Sequence, residues 1–240
     1  MGIFSEIGSA LSSAFSAVCS GISNICSAIG GALFSGAGGI AALAASLIIP
    51  GVGLPEIIAT IDIIVRAVSA IAEALGLKDQ NETPEELGMK AEEADKKPED
   101  FDSIEAYIEY LRNDVKIDKE KLERLSDEDK VKYTAIGTAI NIKGIEEKYG
   151  IEAAGDFWKT VADLELSGEE TKQYIESFKQ GGVTNMKDMT DYLKGDAPES
   201  GTKPSVVSDC IMDALKKNNP GLSEEDLAEK FNSLSIKVTD

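Results

Sequence analysis

Residues 7–55 read IGSALSSAFSAVCSGISNICSAIGGALFSGAGGIAALAASLIIPGVGLP, without one Asp, Glu, Lys or Arg. Arg66 is the first basic residue of the chain. Downstream the sequence turns acidic and lysine-bearing. The destination of the uncharged stretch therefore decides the fold: a lipid bilayer, an oligomer seam, or the protein's own core.

Wound as a helix, residues 3–29 place Phe4, Ile7, Leu11, Phe15, Val18, Ile22, Ile25 and Ile29 on one stripe. Ser5, Ser9, Ser12, Ser16, Ser20, Ser23 and Ser27 fall on the opposite stripe, with Ala10, Ala14, Ala17, Gly21 and Ala28 along one flank. The polar face is serine where a water-facing helix usually carries charge. Serine competes for its own backbone and is an indifferent helix former. In a bilayer or a helix seam its hydroxyl can return to the preceding turn or cross to a neighbour. Three readings stay open: a core helix with a small-residue face, a helix that associates through its serine face in a membrane, and a secretion or packaging signal.

Residues 29–49 are long enough to span a hydrocarbon core. Within and just before them, Ser27, Gly31, Ser35 and Gly39 make a small residue at every fourth position, and Gly38, Ala42 and Ser46 make a second row. Such glycine-zipper rows let helix backbones approach closely in lipid. Pro50-Gly51-Val52-Gly53-Leu54-Pro55 is a turn, with Pro50 ending one helix and Pro55 suited to the first turn of the next. Residues 55–75 then predict a second apolar helix. Its charges Asp62, Arg66 and Glu73, with Ser69, share a narrow stripe, and Asp62 and Arg66 stand at the favourable i,i+4 spacing. A helix apolar on nearly all sides is central in a core or buried in lipid. Its charged stripe would then face a partner or a water-filled cavity, or the surface of a soluble bundle. At the level of architecture alone, a serine-striped helix followed by a glycine-rich hairpin is similar to the hairpins of bacterial pore-forming toxins and secreted membrane-active effectors. No motif narrows that resemblance to a family.

Net charge is −19 over 240 residues, which argues against nucleic acid as a partner. Glu6, Glu56, Asp62 and Glu73 against Arg66 leave residues 1–76 at −3, so the other −16 lies in residues 77–240. Anionic lipid surfaces would repel that part. The N-terminus shows no basic n-region, and Glu6 breaks the myristoylation pattern, so any export is expected without a cleavable signal peptide. Were the hairpin to span a membrane, the Lys/Arg bias would leave the C-terminal part on the cytoplasmic side. Cys19, Cys26 and Cys210 form no framework, and Cys19 and Cys26 stand two helical turns apart, too far for an intrahelical bridge. Pairing across chains through either stays open.

Three regions are expected: 1–76 as a membrane-active or assembly region, 77–100 as an acidic, partly helical, exposed linker, and 101–240 as an acidic bundle of short helices. The whole is all-α. In the last region Ile104, Tyr107, Ile108 and Leu111 make one apolar face, residues 131–149 form a longer helix ended near Gly150, and Phe157-Trp158 anchors a core. Gly181-Gly182 ends the helix begun at Ser167, and residues 235–239 read as a short extended tail. Ser126, Ser167 and Ser223 each precede acids, with Asp129, Glu170 and Asp226 three residues on. That spacing is a capping box; the carboxylates lack the alternating order of a calcium loop.

The chain has no histidine, no phosphate-binding loop and no dinucleotide fingerprint. The expectation is a non-enzyme with no catalytic residues, no cofactor and no metal. Ser9, Ser12, Ser16, Ser20, Ser23, Ser27, Asp62, Arg66 and Glu73 are the candidate membrane or pore face, and Gly31, Ser35, Gly39, Gly38, Ala42 and Ser46 the candidate helix-packing positions. The sequence thus points to a membrane-inserting, pore-forming secreted or injected effector ending in a target membrane. Its partners would be a lipid bilayer, copies of itself, and a chaperone, immunity protein or delivery-machine component. The alternative is a structural protein of a virion or secretion apparatus that assembles through its N-terminal helices.

Overall fold

The computed structural model describes residues 18, 20–27, 53–79, 81–153 and 155–239, the last four by backbone alone. The fold is all-α, and its helices group into two units divided at Glu147 and Lys148. That division lies in the last turn of a long helix, downstream of the boundaries expected near residues 76 and 100.

In the first unit, helical residues 20–27 form α1. Then come α2 (Leu54–Ala74), α3 (Pro84–Glu93), α4 (Ile104–Asn113), the short α5 (Lys119–Glu123) and α6 (Asp127–Tyr149). Residues 133–142 of α6 are buried on every side of the helix, the mark of a central helix. Around it the amphipathic faces turn inward as their periodicity requires. Val18, Ile22 and Ile25 are buried from the first stripe, with Cys26 buried beside them and its thiol 3.8 Å from the Ala139 carbonyl oxygen of α6. From α2, Ile57, Ile61, Ile64, Val68 and Ile71 are buried. Tyr107, Ile108 and Leu111 are buried from α4.

The stretch 77–100 departs from its expected role as an exposed linker. Thr83 caps α3 by accepting from the Glu86 amide at 3.2 Å, Pro84 fills the first turn, and Leu87, Met89 and Ala91 are buried. The reason is a pair of glycines. A Cβ on Gly88 would stand 2.0 Å from the Tyr133 carbonyl oxygen, and a Cβ on Gly137 would stand 2.0 Å from that of Pro84. So α3 and α6 cross with backbone against backbone, and a short, acid-rich helix reaches the core without large side chains.

The second unit contains α7 (Gly155–Asp163), α8 (Gly168–Gln180), α9 (Lys187–Lys194), α10 (Pro204–Asn218) and α11 (Glu224–Thr239). Phe157 and Trp158 are fully buried, edge to face at 5.1 Å, and the Trp158 indole donates to the Ala153 carbonyl at 3.1 Å. Ser167 caps α8 with the full capping box: the Glu170 amide donates to its hydroxyl at 3.2 Å, and its own amide donates to the Glu170 carboxylate at 3.0 Å. The Ser167 amide and hydroxyl hold the Glu170 carboxyl below its ordinary range. That cap therefore stabilises the unit at neutral pH and is lost as pH falls through the lowered value. Ser126 and Ser223 likewise accept the amides of Asp129 and Asp226, at 3.1 and 3.2 Å. One tail expectation is corrected: residues 235–239 continue α11 as helix, because no Gly or Pro interrupts it.

Helix ends show one irregularity. The helices before Gly76, Gly182 and Gly195 stop at a glycine with φ of 72°, 76° and 82°, the left-handed position that closes a Schellman turn. After α7 that position is Glu165 at φ 54°, with the Leu166 amide donating back to the Val161 carbonyl at 3.0 Å. Glu165→Gly removes this strain and should stabilise the protein by about 1 kcal/mol, read as a rise in thermal midpoint. Gly137→Ala forces the α3–α6 crossing apart and should cost about 3 kcal/mol or more in chemical denaturation followed by circular dichroism. Gly221→Ala, whose added Cβ meets nothing within 4 Å, should stay within about 0.5 kcal/mol of the parent.

Candidate functional site

The outward faces of α1 and α2 carry the described part of the polar set picked out from sequence. Ser20 and Ser27 are exposed and Ser23 is half-buried. The Ser27 hydroxyl donates to the Ser23 carbonyl at 2.9 Å, one turn back. On α2, Asp62, Arg66 and Glu73 are exposed with Ser69 half-buried beside them, directly opposite the isoleucine face. The stripe faces outward from the first unit. No ion pair joins Asp62 to Arg66 among the described residues, despite the favourable spacing. Glu73 instead receives Lys78 at 2.7 Å across the turn that ends α2. Ser9, Ser12, Ser16, Gly31, Ser35, Gly38, Gly39, Ala42 and Ser46 lie outside the described residues. Among the described residues no helix is long and apolar enough to cross a membrane; α2 has the length but carries Glu56, Asp62, Arg66 and Glu73 within it.

Just beyond α2, a clasp of ion pairs that no spacing in the sequence announces joins the α2–α3 segment to α4, α5 and α6. Acids before and along α3 each receive a cation from a different element. Glu82 accepts from Arg112 of α4 at 2.9 Å, Glu92 from Lys132 of α6 at 2.5 Å, and Glu93 from Lys121 of α5 at 2.9 Å. Arg112 also donates to the Leu77 carbonyl at 3.1 Å and pairs with Asp79 at 3.3 Å, so it ties the end of α2 to the start of α3. Burial works against the Arg112 charge, but the hydrogen bond and charge of Glu82 outweigh it and raise its pKa. Spacing within one helix finds i,i+4 pairs; these partners lie 28 to 40 residues apart, so only the fold reveals them.

Chemically this region offers a hydroxyl row, two carboxylates and one guanidinium on the outside of buried apolar helices. The Cys26 thiol beneath them is pushed well above its ordinary range, first by burial and then by the charge of Glu146, which keeps it a thiol rather than a nucleophilic thiolate. The acidic helix starts are occupied in capping, as the hydroxyl and amide contacts at Ser126, Ser167 and Ser223 show. No family model, curated protein or solved structure matches this chain.

The clasp separates two kinds of cation. Glu82 has 7% side-chain exposure while Lys121 has 54%. Arg112→Met leaves a buried carboxylate without its partner and should cost about 3 kcal/mol. Lys121→Met removes a surface pair and should cost about 0.5 kcal/mol. Equal losses in urea unfolding would show that the clasp is not graded by burial.

Proposed function

We propose that the chain is a membrane-inserting, pore-forming secreted or injected effector, whose N-terminal helices enter a target bilayer from a folded state in which their apolar faces point inward. What supports this reading is the two-sidedness of α2: Ile57, Ile61, Ile64, Val68 and Ile71 are buried, and Asp62, Arg66 and Glu73 are exposed. The uncharged run 7–55 directly precedes it.

Burying those five side chains is worth about 2 kcal/mol each. Hydrocarbon accepts them on similar terms, so exchanging core for lipid changes the apolar balance little. The polar stripe then sets the geometry. Arg or Asp at the bilayer centre costs about 3 kcal/mol on insertion scales. A lone inserted α2 is thus disfavoured, and several copies turning Asp62 and Arg66 toward a shared wet path are favoured. Serine hydroxyls satisfied within their own helix, as Ser27 is, lower the polar cost of the preceding segment. The acidic remainder stays in water, where it can dock to a delivery machine, chaperone or immunity protein. Ile63, 38% exposed beside Asp62, favours the second reading, an assembly protein of a virion or secretion apparatus.

The test is dye release from vesicles by the full-length protein, followed by conductance recording. Insertion predicts leakage and channel currents. Arg66→Leu alters an exposed side chain with no ion pair among the described residues, so it should fold normally and abolish conductance. A defined soluble oligomer that leaves vesicles intact would replace this function with assembly.

A further inference from the structure

A cavity of about 150 Å³ lies within the second unit, among α8, α10, α11 and the turn at residues 164–166. Its apolar wall is Leu164, Leu166, Leu215 and Leu234. Two opposite charges, Glu170 and Lys230, line it as well. Lys230 lowers the Glu170 carboxyl through its charge, although no ion pair joins the two among the described residues.

Each charge already has a partner within the unit, Ser167 for Glu170 and Asn219 for Lys230, and each keeps bonding capacity beyond it. The Lys230 ammonium donates to the Asn219 side-chain oxygen at 2.7 Å, which leaves two of its three donors. The Glu170 carboxylate takes both Ser167 contacts on Oε2, at 3.0 and 2.8 Å, and Oε1 accepts no hydrogen bond among the described residues. Tyr174, on the same wall, has a buried hydroxyl without a hydrogen-bond partner. A cavity with a separated acid and base and an aliphatic wall is complementary to a small zwitterion with an aliphatic side chain. A single charge would leave one wall group facing its own sign or nothing. Asn218, Asn219 and Ser233 complete its polar side, and a space of this volume takes a guest of roughly six to nine heavy atoms.

The geometry points to this cavity as a binding site for a free aliphatic α-amino acid of leucine size, its carboxylate on Lys230, its ammonium on Glu170 and its side chain against the four leucines. The turn that supplies Leu164 and Leu166 is the one closed through Glu165 at φ 54°, and strain of that kind gathers at ligand sites.

The experiment titrates the full-length protein with L-leucine, followed by isothermal titration calorimetry and by amide shifts of α8 and α11. Two parallel probes are L-leucinamide, which lacks the carboxylate, and 4-methylpentanoate, which lacks the ammonium. Saturable leucine binding is expected, with each truncated probe weaker by about tenfold or more, since each leaves one charged partner unmatched. Lys230→Met should weaken leucine by a similar factor and leave leucinamide unchanged, with thermal unfolding confirming that the variant is folded. No saturable leucine binding, equal binding of either truncated probe, or leucine affinity unchanged in Lys230→Met would each overturn the assignment.

Discussion

Gly88 and Gly137 let α3 lie on α6 with a carbonyl oxygen of each helix standing where the other's side chain would be. The rest of the first unit depends on that closeness. Glu92 sits one turn beyond Gly88 on the same face, so the crossing brings it to Lys132 of α6. With α3 held, Glu82 reaches Arg112, and Arg112 reaches the carbonyl of Leu77 at the end of α2. Leu77 itself packs over Gly144 of α6, and Ile108 of α4 meets the same glycine. Three glycines along two helices thus set how near the surrounding helices come to the central one. Side-chain dispersion falls away within an ångström or so of poor fit, so widening the crossing would loosen contacts well beyond α3.

This architecture bears on any change of surroundings. Two kinds of force act in the first unit. Apolar burial is non-directional and is matched by any dry environment. Ion pairs and the glycine crossing are specific to the folded unit. Release of α2 into another dry environment would therefore have to break the Arg112 bond to the Leu77 carbonyl, which apolar surroundings do not replace.

Much of the fold was legible because it rests on local periodicity and local hydrogen bonds. The spacing of Val18, Ile22 and Ile25 marked the buried stripe of α1, and the spacing of Asp62, Arg66 and Glu73 marked the face of α2 opposite its core side. Ser126, Ser167 and Ser223 announced their helices through bonds made within four residues. Trp158 beside Phe157 announced a core. What stayed hidden was everything assembled at a distance. Gly88 reads as a helix weakener in a sequence and as a contact surface in a structure, because its value lies in what approaches it. The apolar content of α3 is small, so residues 77–100 look solvated until Tyr133 is seen against Gly88. The stripe on α2 is exposed, yet its pairing could not be read: Arg66 has no ion pair among the described residues, and Glu73 takes Lys78. The charged cavity of the second unit gathers residues from 164 to 234 and has no sequence signature at all. Glu165 occupies a position where composition predicts glycine.

The single tryptophan gives the chain a built-in division of spectroscopic labour. Trp158 is fully buried in the second unit, and the first unit has no tryptophan of its own. Indole emission therefore reports the integrity of the second unit alone, whereas helical dichroism sums over both. A rearrangement that opens α1 and α2 while leaving α7–α11 intact would register in the far ultraviolet and in tyrosine signals from Tyr107, Tyr110 and Tyr133. Disagreement between the two optical signals is, in this protein, itself a measure of how independently its halves behave.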